Sequence, residues 1–324
     1  MALNHPQREV INRVVALGGG HGLAATLRAL RLIATDITAV VTVADDGGSS
    51  GRIRRELPVL PPGDLRMAIA ALAGDQDGHR VFANLLQHRF GGEGALAGHN
   101  VGNLLITGLT EVLGDDPLEA LRLVGNVAGA VGRVLPMSPQ PLEIAALVSG
   151  IDPAHPSDSR RIRGQVAVAT TPGRVQSVHL LPVDPPACRE ACVAIEQADV
   201  VVLGPGSWFT SVIPHLMVPD LRRAMEASPA KRLVALNLAQ QPGETDNFSP
   251  AELLAALCAH APGLRIDGVI ADPEAILDLR ELERECDAIG ARLLVEPIAS
   301  ASSRFEHDPG RYADVIAAAV EQVT

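Results

Sequence analysis

Val14-Val15-Ala16-Leu17-Gly18-Gly19-Gly20-His21-Gly22 carries an apolar run straight into a glycine-rich turn, and the residues that follow decide the fold. Leu23, Leu27, Leu30 and Ile33 recur at a spacing that puts them on one helical face. A second apolar run, Ile37 to Val43, then meets Asp45-Asp46-Gly47-Gly48-Ser49-Ser50-Gly51. Strand, glycine turn, helix and strand make a βαβ opening, because parallel neighbours need a crossover between them. Ligands of an open parallel sheet bind at the carboxyl ends of the strands, where the strand order reverses. The loops at those ends are therefore where chemistry is expected.

Working outward, residues 61–131 read as mostly helical, with Asp64 a candidate helix cap before Met67–Leu72 and another helix opening over Asn100–Leu109. The pattern changes over residues 132–190. Val166–Ala169 and Val175–Leu181 are short β-type runs around Thr170-Thr171-Pro172-Gly173, which predicts a hairpin or small meander. Alternating units then return. Asp199–Leu203 and Lys231–Leu238 read as strands, as do Ile266–Ala271 and Leu293–Val295 nearer the end. Ser249-Pro250-Ala251-Glu252 is a capping box with proline at the first helical position.

Composition narrows the function. The 324 residues are 47% hydrophobic and 20% charged, enough for a sizeable core and not the signature of disorder. Aromatic residues at 2% argue against a base-stacking platform for nucleic acid and against an aromatic-lined sugar groove. A net charge of −11 excludes broad binding to a phosphate backbone, while leaving room for one local anion pocket. Cys188, Cys192, Cys258 and Cys286 form no C-x-x-C pair, so they read as ordinary reduced thiols and not as a thiolate zinc site. The polar start of the chain and the lack of any 18-residue apolar run predict a cytoplasmic protein with no membrane span.

The candidate site residues come from the loops. Gly20-x-Gly22-x-x-Ala25 is a version of the dinucleotide fingerprint. Glycine lets backbone approach a diphosphate, and the helix start supplies free N–H groups with partial positive charge. His21 is placed to donate to phosphate or to face water. Asp45 stands at the end of the second strand, where an acid commonly takes ribose hydroxyls. Asp46, Gly47, Gly48, Ser49 and Ser50, with Arg52, Arg54 and Arg55 behind them, offer hydroxyl or Mg²⁺ ligands, an anion nest and guanidinium groups. A solvated turn ordered by its own Asx residues explains the same stretch. Asp64, and Asn100 with Asn103 on one helical face, are further candidates, Asp64 and Asn100 being equally explained as capping residues. Gly204-Pro205-Gly206-Ser207 is the second anion-loop candidate. It fails the Gly-x-Ser-x-Gly nucleophile pattern at Phe209, so a Ser-His-Asp hydrolase is disfavoured, and Trp208 and Phe209 read as core or interface and not as a stacking platform.

Together these stretches resemble one family, that of the YvcK gluconeogenesis factors, sister to the phospholactate transferase CofD. The matching segments are Ala16–Leu23, Val43–Arg52, Pro62–Arg66, Gly98–Asn103, Gly204–Ser211 and Asn237–Asp246, in the family's order. The resemblance implies an α/β fold: a single Rossmann-like three-layer α/β/α sandwich over 1–324, with a helical excursion at 61–131 and a small β insertion at 132–190. It implies a regulatory protein of cell morphogenesis and cell-wall precursor control during gluconeogenic growth. Its ligand would be UDP-N-acetylglucosamine, with no catalytic residues and no required cofactor. The sister branch implies the alternative, a Mg²⁺-dependent transferase using a guanosine diphosphate conjugate, with Asp45 and Asp64 as metal ligands. NAD is a third ligand consistent with the first turn. Carried over by position, Gly18, Gly19, Gly20, His21 and Gly22, Asp45, residues 47–50, and Gly204, Pro205, Gly206 and Ser207 would surround the nucleotide. Asn237, Gln241 and Thr245 would close the pocket. An unidentified protein partner and a homo-oligomer, a dimer, complete the expectation. Departures from the family pattern fall at Gly164-Gln165, His215 and Trp208-Phe209, and His307-Asp308-Pro309 fits its C-terminal tail.

Overall fold

The computed structural model describes residues 11–152, 154–241, 243–246 and 248–323. The polar first ten residues read above lie outside the described residues. Strand β1 (Ile11–Gly18), helix α1 (Gly20–Leu30) and strand β2 (Ala34–Val41) form the predicted opening unit, with β1 and β2 parallel. Leu23, Leu27 and Leu30 are all but fully buried on the inner face of α1, while Ile33 packs from the turn beyond it.

Four more helices follow: α2 (Gly48–Glu56), α3 (Pro62–Leu72), α4 (Asp77–Gln87) and α5 (Val101–Val112). A fifth, α6 (Pro117–Val127), returns the chain to the sheet edge at β3 (Arg133–Pro136), which pairs with β2. The small antiparallel sheet therefore begins after β3. It comprises β4 (Glu143–Ser149), β5 (Ser159–Arg163) and β6 (Arg174–Leu181), in the order β5-β4-β6. Val166–Ala169, which reads as a β-type run, belongs instead to the short helix α7 (Gln165–Ala169). Its first N–H groups, those of Gln165 and Val166, donate to the two carboxylate oxygens of Asp46 at 3.0 and 2.9 Å. A remote acid thus caps a segment whose own residues favour a strand.

The chain then crosses to the other side of β1. After α8 (Arg189–Glu196), β7 (Val200–Leu203) pairs parallel with β1. A π-helical turn over Trp208–Val212 leads into α9 (Ile213–Leu216) and α10 (Pro219–Ala227). Strand β8 (Lys231–Ala235), helix α11 (Pro250–His260), strand β9 (Gly268–Ala271), helix α12 (Leu279–Ile289) and strand β10 (Arg292–Val295) extend the sheet outward. The capping box is present: Ser249 Oγ accepts from Glu252 N–H and the Glu252 carboxylate from Ser249 N–H. A hairpin, β11 (Ala299–Ser300) and β12 (Ser303–His307), precedes α13 (Pro309–Gln322), whose first turn is capped by Asp308.

The central sheet has seven strands in the order β10-β9-β8-β7-β1-β2-β3, all parallel, with helices on both faces. This is the three-layer α/β fold. Its interior strands read as continuous apolar runs because both faces are covered: Val200–Leu203 and Gly268–Ala271 are buried at every position. The chain runs from β1 to β3 in one direction and from β7 to β10 in the other. The switch point therefore lies between β1 and β7, and their carboxyl ends open onto one crevice. Trp208 and Phe209 are core residues, and the indole N–H of Trp208 donates to the Leu253 carbonyl at 2.6 Å. Among the described residues no helix is long and apolar enough to cross a membrane.

Candidate functional site: a two-chambered cleft at the strand switch

The crevice consists of two adjoining chambers of about 240 and about 490 Å³, which share His21, Gly22, Gly206 and Gln241 as walls. Helix α1 points its start into it. Gly19 is the N-cap and has no side chain, and no acid lies in the first turn itself, but the Asp64 carboxylate from α3 accepts from the Gly20 N–H and meets part of the positive charge of the N-terminus. A side chain at Gly22 would run into the Pro205 backbone, so the two glycine turns approach as closely as they do because this position lacks a Cβ. Gly204 adopts a φ of +76° at the end of β7 and turns the chain toward the crevice.

The smaller chamber is polar. It brings together Gly19, Gly20, His21, Gly22, Asp45, Asp64, Gly206, Ser207 and Gln241 of the sequence candidates, and adds Thr42, Gln165, Thr210 and Ser211. Thr42 is 2% exposed and its hydroxyl has no hydrogen-bond partner, as does the Gln241 side-chain oxygen. A buried polar atom without a partner costs stability, and two of them lining one cavity mark it as a place for a polar ligand. Asp45 Oδ1 accepts from Gly47 N–H at 2.8 Å. Burial pushes its carboxyl above the usual range, against the pull of the Gly47 N–H and the Ser50 hydroxyl. Asp64 is pushed up to about 7, first by burial and then by the charge of Asp45, with the Gly20 N–H opposing. Asp64 stands in the first turn of α3, whose N-cap is Pro61, so it is not the cap that the sequence suggests.

The larger chamber takes in Pro205 and Asn237 with Ala25, Arg28, Leu238–Gln240 and the end of the β11–β12 hairpin, Phe305–His307. Asn237 grips the second glycine loop: its Oδ1 accepts from Gly206 N–H at 2.7 Å and its Nδ2 donates to the Gly206 carbonyl at 2.9 Å. Glu244, 2% exposed, locks the same loop from behind by accepting from the Ser207 hydroxyl and, at 2.9 Å, from Phe209 N–H. Burial raises its carboxyl, against those same donors. Thr245 Oγ1 accepts from Gln241 N–H at 2.8 Å and so shapes the closing loop without lining it.

Other candidates lie behind the cleft walls. Gly18 ends β1 and Gly204 begins the turn after β7. Gly47 and Gly48 start α2, where Ser49 Oγ meets His99 Nδ1 at 2.9 Å and Ser50 Oγ accepts from Gly63 N–H at 3.0 Å. The Arg52 guanidinium donates to the carbonyls of Ala95 and Ala97 at 2.6 and 2.5 Å, and that of Arg54 to the carbonyls of Asp45 and Leu142 at 2.9 and 3.0 Å. Both are straps between loops and not a clamp on the cleft. Asn100 Nδ2 donates to the Gln87 carbonyl, and Asn103 Oδ1 accepts from Arg66 Nε at 2.9 Å. Asp46 is committed to α7. The four thiols are unpaired, and burial pushes those of Cys188 and Cys258 up to about 11 and that of Cys286 to about 12.

Comparison with known proteins bears on this arrangement. The family model described as 2-phospho-L-lactate transferase CofD matches residues 14–301, which include both glycine turns, Asp45, Asp64 and the closing loop. A protein of Mycobacterium tuberculosis (strain CDC 1551 / Oshkosh) is 55% identical over 306 residues, 94% of this chain and 89% of its own length. The gluconeogenesis factor of Bacillus subtilis (strain 168) is 37% identical over 280 residues, 86% of this chain and 84% of its own. A crystal structure of a upf0052-family protein from Bacillus halodurans aligns with a TM-score of 0.85 at 32% identity, covering 95% of this chain and 99% of that one. The chain belongs to the CofD/YvcK family, on the side of the gluconeogenesis factors.

Proposed function

We propose that this chain is a receptor for a nucleoside-diphosphate sugar, UDP-N-acetylglucosamine by the family resemblance. In this reading it reports precursor supply to a protein partner and so links cell-wall synthesis and cell shape to gluconeogenic growth, in the cytoplasm. The observation that carries the reading is the convergence of a glycine-rich helix start, a second glycine loop and the partnerless Thr42 hydroxyl on one polar chamber beside a larger one. The chamber at the helix start suits a diphosphate, and the adjoining space suits the groups attached to it. The Ser207 hydroxyl faces the buried Glu244 and Thr210, a contact that fixes the loop.

One observation favours a second reading, a transferase working with a divalent cation. Asp45 and Asp64 line the same chamber, and the charge of Asp45 adds to burial in raising the affinity of Asp64 for protons. Two hard oxygen donors beside a phosphate site fit Mg²⁺, which is held by one or two carboxylates together with substrate phosphates. When bound there it would neutralise phosphate charge. The protein's own part would be to orient the diphosphate through the two glycine turns. Calorimetric titration with UDP-N-acetylglucosamine, UDP, GDP and NAD, each with and without Mg²⁺, separates the readings. The receptor predicts selective stabilisation by the UDP-sugar, about 2.7 kcal/mol at a hundred times the dissociation constant, with the ligand recovered unchanged. Preference for GDP with Mg²⁺, or consumption of the ligand, would overturn it in favour of the transferase.

A further inference from the structure

The larger chamber has three features that the phosphate chemistry does not explain. Phe305, on β12, lines it while 64% exposed, with the Arg304 guanidinium 4.8 Å from its ring centroid. His307 lines it with a buried Nε2 that has no hydrogen-bond partner, and Gln241 presents its partnerless side-chain oxygen at the boundary between the chambers. The hairpin that carries Phe305 and His307 is fixed to the same rim. The Asp272 carboxylate, just beyond the end of β9, accepts from Ile298 and Ala299 N–H at 2.9 and 3.0 Å.

These groups differ in kind from those of the smaller chamber. Burial lowers the affinity of His307 for protons to a pKa of about 4, against the opposing charge of Asp272, so its ring is neutral and attracts no phosphate. A neutral imidazole and an amide each offer hydrogen bonds without charge, and an exposed phenyl ring offers a flat apolar face. A planar heteroaromatic group with a polar edge satisfies all three.

We propose that the larger chamber is a nucleobase subsite, with Phe305 against the base face and Gln241 and His307 at its polar edge. The inference rests on the receptor reading above and deepens it. It assigns the base to the side of the C-terminal hairpin.

The test is calorimetric titration of the full chain and of its Phe305→Ala and His307→Leu variants with UDP, UDP-N-acetylglucosamine and inorganic pyrophosphate. Phe305 is exposed, so its truncation leaves the core intact even if the His307 variant folds poorly. Both variants are expected to bind UDP and UDP-N-acetylglucosamine about tenfold more weakly, by equal factors, with pyrophosphate unaffected. Wild-type affinity for UDP in the Phe305→Ala variant overturns the assignment. Loss confined to the advantage of the UDP-sugar over UDP also overturns it, because the chamber then holds the sugar. Failure of the wild-type chain to bind any of the three compounds removes the receptor reading itself.

Discussion

Asn237 and Gly206 hold each other through both of their amide groups, the Gly206 N–H on Asn237 Oδ1 at 2.7 Å and the Asn237 Nδ2 on the Gly206 carbonyl at 2.9 Å. The side chain imitates a neighbouring strand and ties the end of β8 to the loop after β7. Asn237→Leu removes both bonds and leaves the Gly206 groups partnerless in a half-closed site. Urea unfolding is expected to show a loss of about 1–2 kcal/mol. UDP-N-acetylglucosamine affinity should fall with it, because the second glycine loop loses its clamp.

Thr42 separates stability from binding. Its buried hydroxyl has no partner, so Thr42→Val relieves an unmet polar group at nearly constant volume. The ligand-free variant should melt at or above the wild-type temperature, while its affinity for UDP-N-acetylglucosamine drops about five- to tenfold for one lost hydrogen bond. Thermal melting and calorimetry on the same preparation check both halves. A variant less stable than wild type without ligand contradicts the prediction.

Asp64 gives the ligand-free protein a pH dependence of definite sign. Its carboxyl is raised from 3.8 to about 7 in the fold, so between those values the folded state holds a proton that the unfolded state has released. Stability therefore falls as pH rises from about 4 to about 7 and then levels off. Asp64 is half-buried, since it opens onto the cavity, and water there screens part of the effect. Asp64→Asn should gain about 1–2 kcal/mol over wild type at pH 8 and little at pH 4, measured by urea unfolding. Mg²⁺ should narrow the difference at pH 8 if the two acids hold it.

Glu244 is the opposite case, a buried acid with a structural task. Glu244→Ala leaves the Phe209 N–H and the Ser207 hydroxyl without their acceptor and is expected to cost about 2–3 kcal/mol in urea unfolding. Glu244→Gln keeps an acceptor oxygen and should lose less than half of that. Equal losses in the two variants would mean that the charge, and not the acceptor, holds the π-helical turn.

What the sequence makes legible follows from local physics. The apolar run into Gly18–Gly22, the face formed by Leu23, Leu27 and Leu30, and the Ser249–Glu252 box each specify their structure within a few residues. Most of the smaller chamber is legible for the same reason, since its glycines, Asp45 and Ser207 lie in turns directly after strands. Gln165 is not. It is brought there by a five-residue helix that exists because Asp46 caps it. Arg52 and Arg54 resemble phosphate ligands in sequence, and only the fold shows the carbonyls they satisfy. His307 and Phe305 lie in a hairpin whose strands are too short to announce themselves, and their signal is the partnerless Nε2 and the exposed ring.

The pairing of β1 with β7 has a consequence for synthesis. Val14 aligns with Ile37 on one side and Val200 on the other, so the first strand waits for its second neighbour, translated much later. At roughly 5–20 residues per second the interval is on the order of 10–40 s. A nascent chain stalled before β7 has the first glycine turn but no second wall, and a ribosome-bound fragment of that length has no cleft with which to retain ligand. A ligand of the cleft can act as a folding aid only after the second glycine loop has emerged, which puts any such influence on maturation in the last third of translation.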